Sequence, residues 1–393
     1  MSRRARNLLA SLAAVLAMPG ASLAGSTEAD VQVDLSAGHD SNPLLLSHEA
    51  PLLEGAPPAA AFTEVGLASR LTHQWNPRVG FFVAADGSGR FHAASLDEAD
   101  SSRGRVEAGM ATMIFSRGDA RMTAALRASF GAERSTFVDP ATGGIYFVES
   151  DPNVMTAIPD RFDANLSTLN LDLRLRTSSR LLFLLDTSLL REDYTEDYEE
   201  IPTLEPLDAR RWLVRPGVRW SISAHLRLDV TGEWGGTHYD DLSALEEDGS
   251  TATGTRRRYE SGGVRAALRV TPSDTWAFSL GFGATDRHDT HAGYYDTTGD
   301  TVFGSLSWNP GQHTRLGLRA IQSVYDYERA TVDGTLNGDR RGGDTLRVAA
   351  TVERDLVERL TLFGEAGTLR SNNLDPLYEY DRHWALAGLR FKL

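Results

Sequence analysis

The residues in this sequence whose type and spacing could do chemistry are arginines. They recur two or four positions apart: Arg174 and Arg176; Arg211, Arg215 and Arg219; Arg265 and Arg269; Arg315 and Arg319. Arg127, Arg227, Arg347 and Arg390 keep the same phase against their apolar neighbours, as do Arg70, Arg90, Arg105 and Arg121. Acids in that phase are fewer: Asp34, Glu64, Glu107, Glu133, Asp172, Asp186, Asp229, Glu233, Glu353 and Glu365. A planar guanidinium binds carboxylates and phosphates through two parallel bonds, so the surplus points to anion binding. Arg211, Arg215 and Arg219 read as an anion-attracting ladder; the competing expectation is a network of Arg–acid pairs that stiffens a wall. Other chemistry is sparse. No Gly-x-Ser-x-Gly, phosphate loop or His-Glu-x-x-His occurs, so no catalytic residue is assigned and no enzyme is expected. Arg287-His288-Asp289-Thr290-His291 sets two histidines near Asp286 and Asp296, in a stretch that reads as a solvated loop; no metal or cofactor is expected. Two acidic stretches, Asp193 to Glu200 and Asp240 to Asp248, read as solvated loops, with bridging divalent cations as the alternative.

The elements that position these arginines are strands. Successive strand side chains point to opposite faces, so a period-two pattern separates an oily face from a charged one. In the last stretch, Ala385, Ala387, Leu389, Phe391 and Leu393 share one face, while Gly388, Arg390 and Lys392 share the other. The same split recurs in sixteen segments, for example Met122, Leu126 and Phe130; Phe278, Leu280 and Phe282; and Leu316, Leu318 and Val324. Short turns such as Asn76-Pro77-Arg78, Ser116 to Asp119, Ser223-Ala224-His225 and Asn309 to Gln312 alternate with longer polar loops. Short turns at one end and long loops at the other predict an all-β, closed antiparallel transmembrane β-barrel of 16 strands, N- and C-termini periplasmic. An additional hairpin within Thr136 to Phe147 would make it 18. Charge facing water inside such a barrel is tolerated, whereas arginine facing lipid at mid-depth costs about 2–4 kcal/mol, so the charged phase is assigned to the lumen. Trp75, Trp220 and Trp308 beside short turns are expected to form an aromatic girdle. Pro216 lacks a ladder donor, and a bulge is expected there. The long Ser135 to Asp160 connection is expected to fold in and narrow the pore.

Composition agrees with export. The chain has 393 residues and a net charge of -14. Residues 1–24 carry Arg3, Arg4 and Arg6, an apolar run and a small-residue cleavage site, the pattern of a signal peptide. Its removal takes three arginines and leaves -17, a charge unsuited to nucleic acid. Residues 25–393 read as one barrel domain. There is no cysteine, and after the leader no apolar run is long enough for a transmembrane helix. Lys392 is the sole lysine.

Two short segments carry family resemblances. Gly388-x-x-Phe391-x-Leu393 resembles the C-terminal signal of bacterial outer-membrane barrels, which the barrel-insertion machinery reads, although that family usually ends in Phe. Gly38-His39-Asp40-Ser41-Asn42-Pro43 resembles the Gly-x-Asp-Ser-Asn first-strand segment of outer-membrane barrel families found with exopolysaccharide synthesis and export. It is also similar to the barrel of surface-lipoprotein assembly modifiers, which carry a helical-repeat domain ahead of the barrel; strand one follows the expected cleavage site closely, so no such domain is expected. The resemblance implies an arginine-lined pore in the Gram-negative outer membrane, exporting an anionic exopolysaccharide with separate periplasmic export proteins. A passive anion-preferring porin and a structural or adhesive surface barrel are the other readings. Expected partners are outer-membrane lipid, lipopolysaccharide and the insertion machinery.

Overall fold

The computed structural model describes residues 26–43, 45, 59–93, 99–135, 147–151, 154–157, 162–194, 205–332, 338–375 and 378–393. The expected leader, most of Thr136 to Phe147 and most of the first acidic stretch lie outside them. The strands are β1 (Ser26–Asp40), β2 (Ala60–Asn76), β3 (Val79–His92), β4 (Ser101–Arg117), β5 (Ala120–Ser135), β6 (Phe147–Asp151), β7 (Val154–Ala157), β8 (Ala164–Arg176), β9 (Leu181–Tyr194), β10 (Ala209–Ser221), β11 (Leu226–Leu245), β12 (Thr251–Ser273), β13 (Trp276–Asp289), β14 (Thr297–Gly311), β15 (Thr314–Thr331), β16 (Arg340–Val357), β17 (Leu360–Asn373) and β18 (Tyr380–Lys392). All but β6 and β7 form one closed antiparallel barrel of sixteen strands. β6 and β7 pair only with each other, as a separate two-stranded sheet, so the long β5–β8 connection does hold a hairpin but adds no strands to the wall.

Local chemistry makes the short turns. Asn76 Oδ1 accepts the amides of Arg78 and Val79 at 2.8 and 3.0 Å. Ser178 and Ser223 hydroxyls accept the amides of Arg180 and His225. Gly118, with φ 58°, supplies the left-handed residue of the β4–β5 turn. Register shifts sit beside these turns, between Gln74 and Asn76, Met113 and Phe115, Val270 and Ser273, Trp308 and Gly311, and Asp355 and Val357. Bulges are common at barrel rims, where the strand must bend into its turn. None falls at Pro216: Val214↔Trp234 and Gly217↔Thr231 keep one register, so the expected bulge is absent. The missing proline donor removes a ladder bond without forcing an extra residue into the strand.

The outward phase is apolar and open. Phe130, Leu189, Trp234 and Leu280 are 58–65% exposed, values that a water-soluble sheet of this size would not leave uncovered. Trp75, Trp220 and Trp308 are on that face beside their turns, at 62%, 47% and 37%. β1 starts and β18 ends at the short-turn end, where Lys392 meets Gln32.

Closure joins residues at opposite ends of the sequence. β1 and β18 pair from Gln32↔Lys392 to Asp40↔Trp384. At one end Asp34 accepts from Arg390 Nε at 3.1 and 3.3 Å. At the other Asp40, wholly buried, accepts Arg382 Nε at 3.1 and 2.9 Å and Nη2 at 2.6 Å. The Gly38 to Asn42 segment builds this second lock. Gly38 leaves the space that Phe62 Cζ and Leu386 Cβ occupy, 2.7 and 2.8 Å from where a Cβ would stand. Ser41 Oγ accepts the His383 amide at 2.7 Å, and Asn42 Nδ2 donates to the Asp381 carbonyl at 3.1 Å. The first-strand motif is thus the clasp of the cylinder.

Candidate functional site

The barrel's inner wall is assembled by register. Asp34↔Gly66, Ala68↔Asp86 and Asp86↔Arg105 carry one phase across β1 to β4; Thr123↔Arg174, Asp172↔Asp186 and Arg215↔Asp186 carry it to β10. Arg219↔Asp229, Arg227↔Arg269 and Arg269↔Ser279 take it to β13. Ser305↔Arg319, Arg315↔Glu353 and Thr361↔Arg390 return it to β18. Arg127, Arg174, Arg176, Arg211, Arg215, Arg219, Arg227, Arg265, Arg269, Arg315, Arg319, Arg347 and Arg390 all occupy this phase, opposite the exposed apolar face. Gly388 shares it, while Phe391 lies in the outward phase with Leu389.

The wall divides into two kinds. From β8 to β11 every arginine of the expected ladder meets an acid: Arg211 meets Glu192 at 2.8 Å, Arg215 meets Glu233 at 2.7 Å and Arg219 meets Asp229 at 2.7 Å. Arg227 shares Asp229, and Arg127 meets Asp172. Across β16, β18 and β1, Arg315 and Arg390 share Glu353, with Asp34 and Asp355 completing the network. The ladder is therefore neutralised reinforcement. The surplus lies elsewhere: among the described residues Arg265, Arg269, Arg319 and Arg347, on β12, β15 and β16, have no carboxylate within 4.0 Å, nor do Arg174 and Arg176 at the short-turn end of β8, nor, singly on β2, β4 and β5, Arg70, Arg103 and Arg121. Facing positions on β13 and β14 carry no charge: Ser279, Gly281, Gly283, Thr301 and Ser305 are small or hydroxylated, and Phe303 is aromatic.

Aromatic rings orient several of these arginines. Phe82 fills the space of a missing Cβ at Gly109, 2.6 Å from its Cε1, and Arg70 lies 4.2 Å over its centroid. Phe303 does the same against Gly281, with Arg265 at 3.9 Å, and Phe363 against Gly388, with Arg390 at 5.2 Å. Trp384 fills the space at Gly367 and carries Arg347 at 5.2 Å. A ring face attracts the cation by about 0.5–2 kcal/mol without using any of its N–H donors. Arg265 and Arg347 are thereby held beside a ring with no acid on their forks. Gly388, expected only as part of a terminal signal, makes room for one such ring.

Nearer the long loops a tyrosine cluster covers the wall. Tyr239, Tyr259, Tyr295, Tyr327 and Tyr325 follow one another edge-on at 6.0 to 6.4 Å. Arg257 lies 4.7 Å over Tyr295 and Arg287 4.8 Å over Tyr259. Burial raises the Tyr295 hydroxyl above the usual tyrosine range. Neither this cluster nor Arg287's place on the wall was foreseen; alternation continued past Phe282 would have found Arg287. Among the inward aromatics, Phe62, Phe82, Phe303 and Phe363 are apolar residues in the charged phase, a signal that reads as noise until their glycine partners are known.

The loop histidines diverge. His288 Nδ1 is 3.0 Å from Asp296 and His291 Nε2 is 3.3 Å from Glu246. Among the described residues no group of three His, Cys, Asp or Glu converges. The second acidic stretch is engaged by arginines: Asp240 with Arg210 at 3.1 Å, Asp241 with Arg256 at 3.3 Å, Glu247 with Arg329 at 2.7 Å.

No family model and no curated protein matches the chain. Solved structures similar to it include outer-membrane expressed OmpT of Vibrio cholerae (9% identity, 95% of this chain and 99% of that one, TM-score 0.47). A bacterial polysaccharide outer membrane secretin (10%, 93% and 97%, 0.45) and the outer membrane protein OprD from Pseudomonas aeruginosa (11%, 95% and 96%, 0.46) are similar too. At these identities and TM-scores the likenesses say nothing about cargo.

Proposed function

We propose that this chain is a transport pore of the outer membrane with an anionic cargo, an exopolysaccharide leaving the cell. The observation that carries the reading is the row of arginines on β12 to β16 without acidic partners. A low-dielectric wall of one sign concentrates counter-ions beside it. The row is staggered along the strands: Arg269 and Arg319 share one rung, Arg347 lies on the next inward rung, and Arg265 and then Arg287 follow toward the long loops, so a polymer would meet its members in succession. Membrane residence is supported by the exposed apolar face and by closure, since lipid offers no partner for an open sheet edge. In this reading the short-turn end faces the periplasm, where separate export proteins dock; the long loops meet lipopolysaccharide; and Gly388, Phe391 and Leu393 address the insertion machinery.

Purified barrel in a planar bilayer under a potassium chloride gradient tests the pore. The expected reversal potential is that of an anion-selective conductance, and R265E with R319E moves it toward cations. Equal permeability to both ions, or cation selectivity in the unaltered chain, refutes the reading. Deleting the gene and measuring secreted polysaccharide separates cargo from leak: a loss supports export, while unchanged secretion with an anion-selective pore identifies a passive porin.

A further inference from the structure

We propose that a cavity between Arg319 and Arg347 is a subsite for an anionic sugar residue, a uronate-type ring whose carboxylate is held by the two guanidinium groups. The proposal rests on the pore reading and names the chemistry of one place on that wall. The cavity, about 370 Å³, is lined by Ser305, Arg319, Ile321, Arg347, Thr351 and Glu365 together with two leucines, a glycine and an alanine of the same strands. That volume falls within the range of small-molecule sites.

Three features select the ligand. First, the two arginines are diagonal neighbours: Arg319 stands opposite Ala349 and Arg347 opposite Ile321. Diagonal positions on adjacent strands are about 7–8 Å apart at their base, close enough for two long side chains to converge on one carboxylate. Second, neither arginine has an acid within 4.0 Å of its fork among the described residues, and Trp384 supports Arg347 through its ring face. The same indole donates Nε1–H to Glu365 Oε1 at 2.8 Å, which engages one oxygen of the cavity's one acid with Trp384. Third, the remaining lining is mixed. Ser305 and Thr351 offer hydroxyls, the second Glu365 oxygen accepts one, and Ile321 presents an apolar surface to ring C–H groups. A bare anion would use only the arginines; a sugar acid uses all of it. The cavity of equal volume between β1–β4 and β16–β18 contrasts with it, since Asp34, Glu64, Asp86 and Glu353 line it, and of its two arginines Arg390 is paired with Asp34 and Glu353 while Arg103 Nε donates to Ser88.

Isothermal titration calorimetry on the full chain, folded in detergent, tests the subsite without requiring conductance. Trigalacturonate, maltotriose and inorganic phosphate are the probes. Trigalacturonate is expected to bind, maltotriose to give no signal over the same range, and phosphate to bind more weakly. R319Q with R347Q is expected to weaken trigalacturonate at least tenfold, and R319K with R347K to weaken it severalfold, because lysine keeps the charge and loses the fork. R210Q, on the outward phase, is expected to leave it unchanged. Heat-modified gel migration shows whether each variant is folded; if the glutamine pair does not fold, the lysine pair decides. Absence of trigalacturonate binding, equal binding of phosphate or maltotriose, or variant affinities within twofold of the unaltered chain overturns the subsite. An anion-selective conductance alongside any of those results leaves the pore standing and removes only the subsite.

Discussion

Replacing Asp40 by alanine should loosen the barrel where its first and last strands meet. Asp40 is fully buried and accepts three guanidinium contacts from Arg382, at 2.6 to 3.1 Å, and the Asn42 amide at 3.1 Å. Removing one partner of a buried ion pair typically costs about 3–5 kcal/mol, because the other charge is left behind. Here Arg382 retains 22% side-chain exposure toward the lumen and can recover some hydration, which places the expected loss at the lower end, about 3 kcal/mol. At about 1.4 kcal/mol per factor of ten, that lowers the folding equilibrium by about two orders of magnitude. The assay is reversible urea unfolding in lipid vesicles of the unaltered chain, D40A, R382A and the double variant. The two single losses should exceed the double loss when summed, with a coupling of about 2 kcal/mol or more, as for residues in direct contact. A D40A midpoint within about 0.5 kcal/mol of the unaltered chain, or additive losses, would refute the clasp.

Other expectations follow from the same wall. Leu280→Arg, on the outward face at 65% exposure, should cost about 2–4 kcal/mol in the same unfolding assay, while the adjacent inward Ser279→Arg should be tolerated; equal costs would mean the phase is wrong. Gly109→Val puts a Cβ 2.6 Å from the Phe82 ring and 2.8 Å from the Leu126 carbonyl, so a loss of about 1–3 kcal/mol is expected, relieved in part by adding Phe82→Ala. In the β11–β12 turn, the Ser250 hydroxyl and amide donate to Asp248 and hold its carboxyl below the usual range. A depressed carboxylate contributes stability above its unfolded pKa that is lost as pH falls through the folded value. Slow amide exchange at Ser250 should therefore persist through ordinary carboxylate titration and fail only at lower pH, and Asp248→Asn should abolish that pH dependence.

Much of the wall was legible in the residues alone. Period two is a local property, and lipid on one side with water on the other imposes the same alternation on every strand, so Leu126, Leu280 and Leu389 declare their face without reference to any neighbour. The short turns were equally local, since Asn76 and Ser223 bond to amides two or three residues away. Hence sixteen wall strands, the arginine phase and the tryptophans beside the turns could be read in advance. Strand ends could not: β12 and β13 run past their apolar residues, which hid Tyr259 and Arg287 in apparent loops.

What only the tertiary structure decided is which partner each inward side chain meets. Arg211, Arg215 and Arg219 carry the same sequence signal as Arg265, Arg269 and Arg319, yet the first three are neutralised and the second three are not. The difference lies in which arginines the acids reach: Glu192 on β9 and Asp229 and Glu233 on β11 are taken by the β10 row and Arg227, so Arg265 and Arg269 on β12, although also beside β11, are left without one. The Asp40–Arg382 pair spans 342 positions, and the rings of Phe82, Phe303, Phe363 and Trp384 that support arginines each occupy space left by a glycine on an adjoining strand. Such partners are set by closure and register between distant strands, and alternation within a single strand carries no record of them.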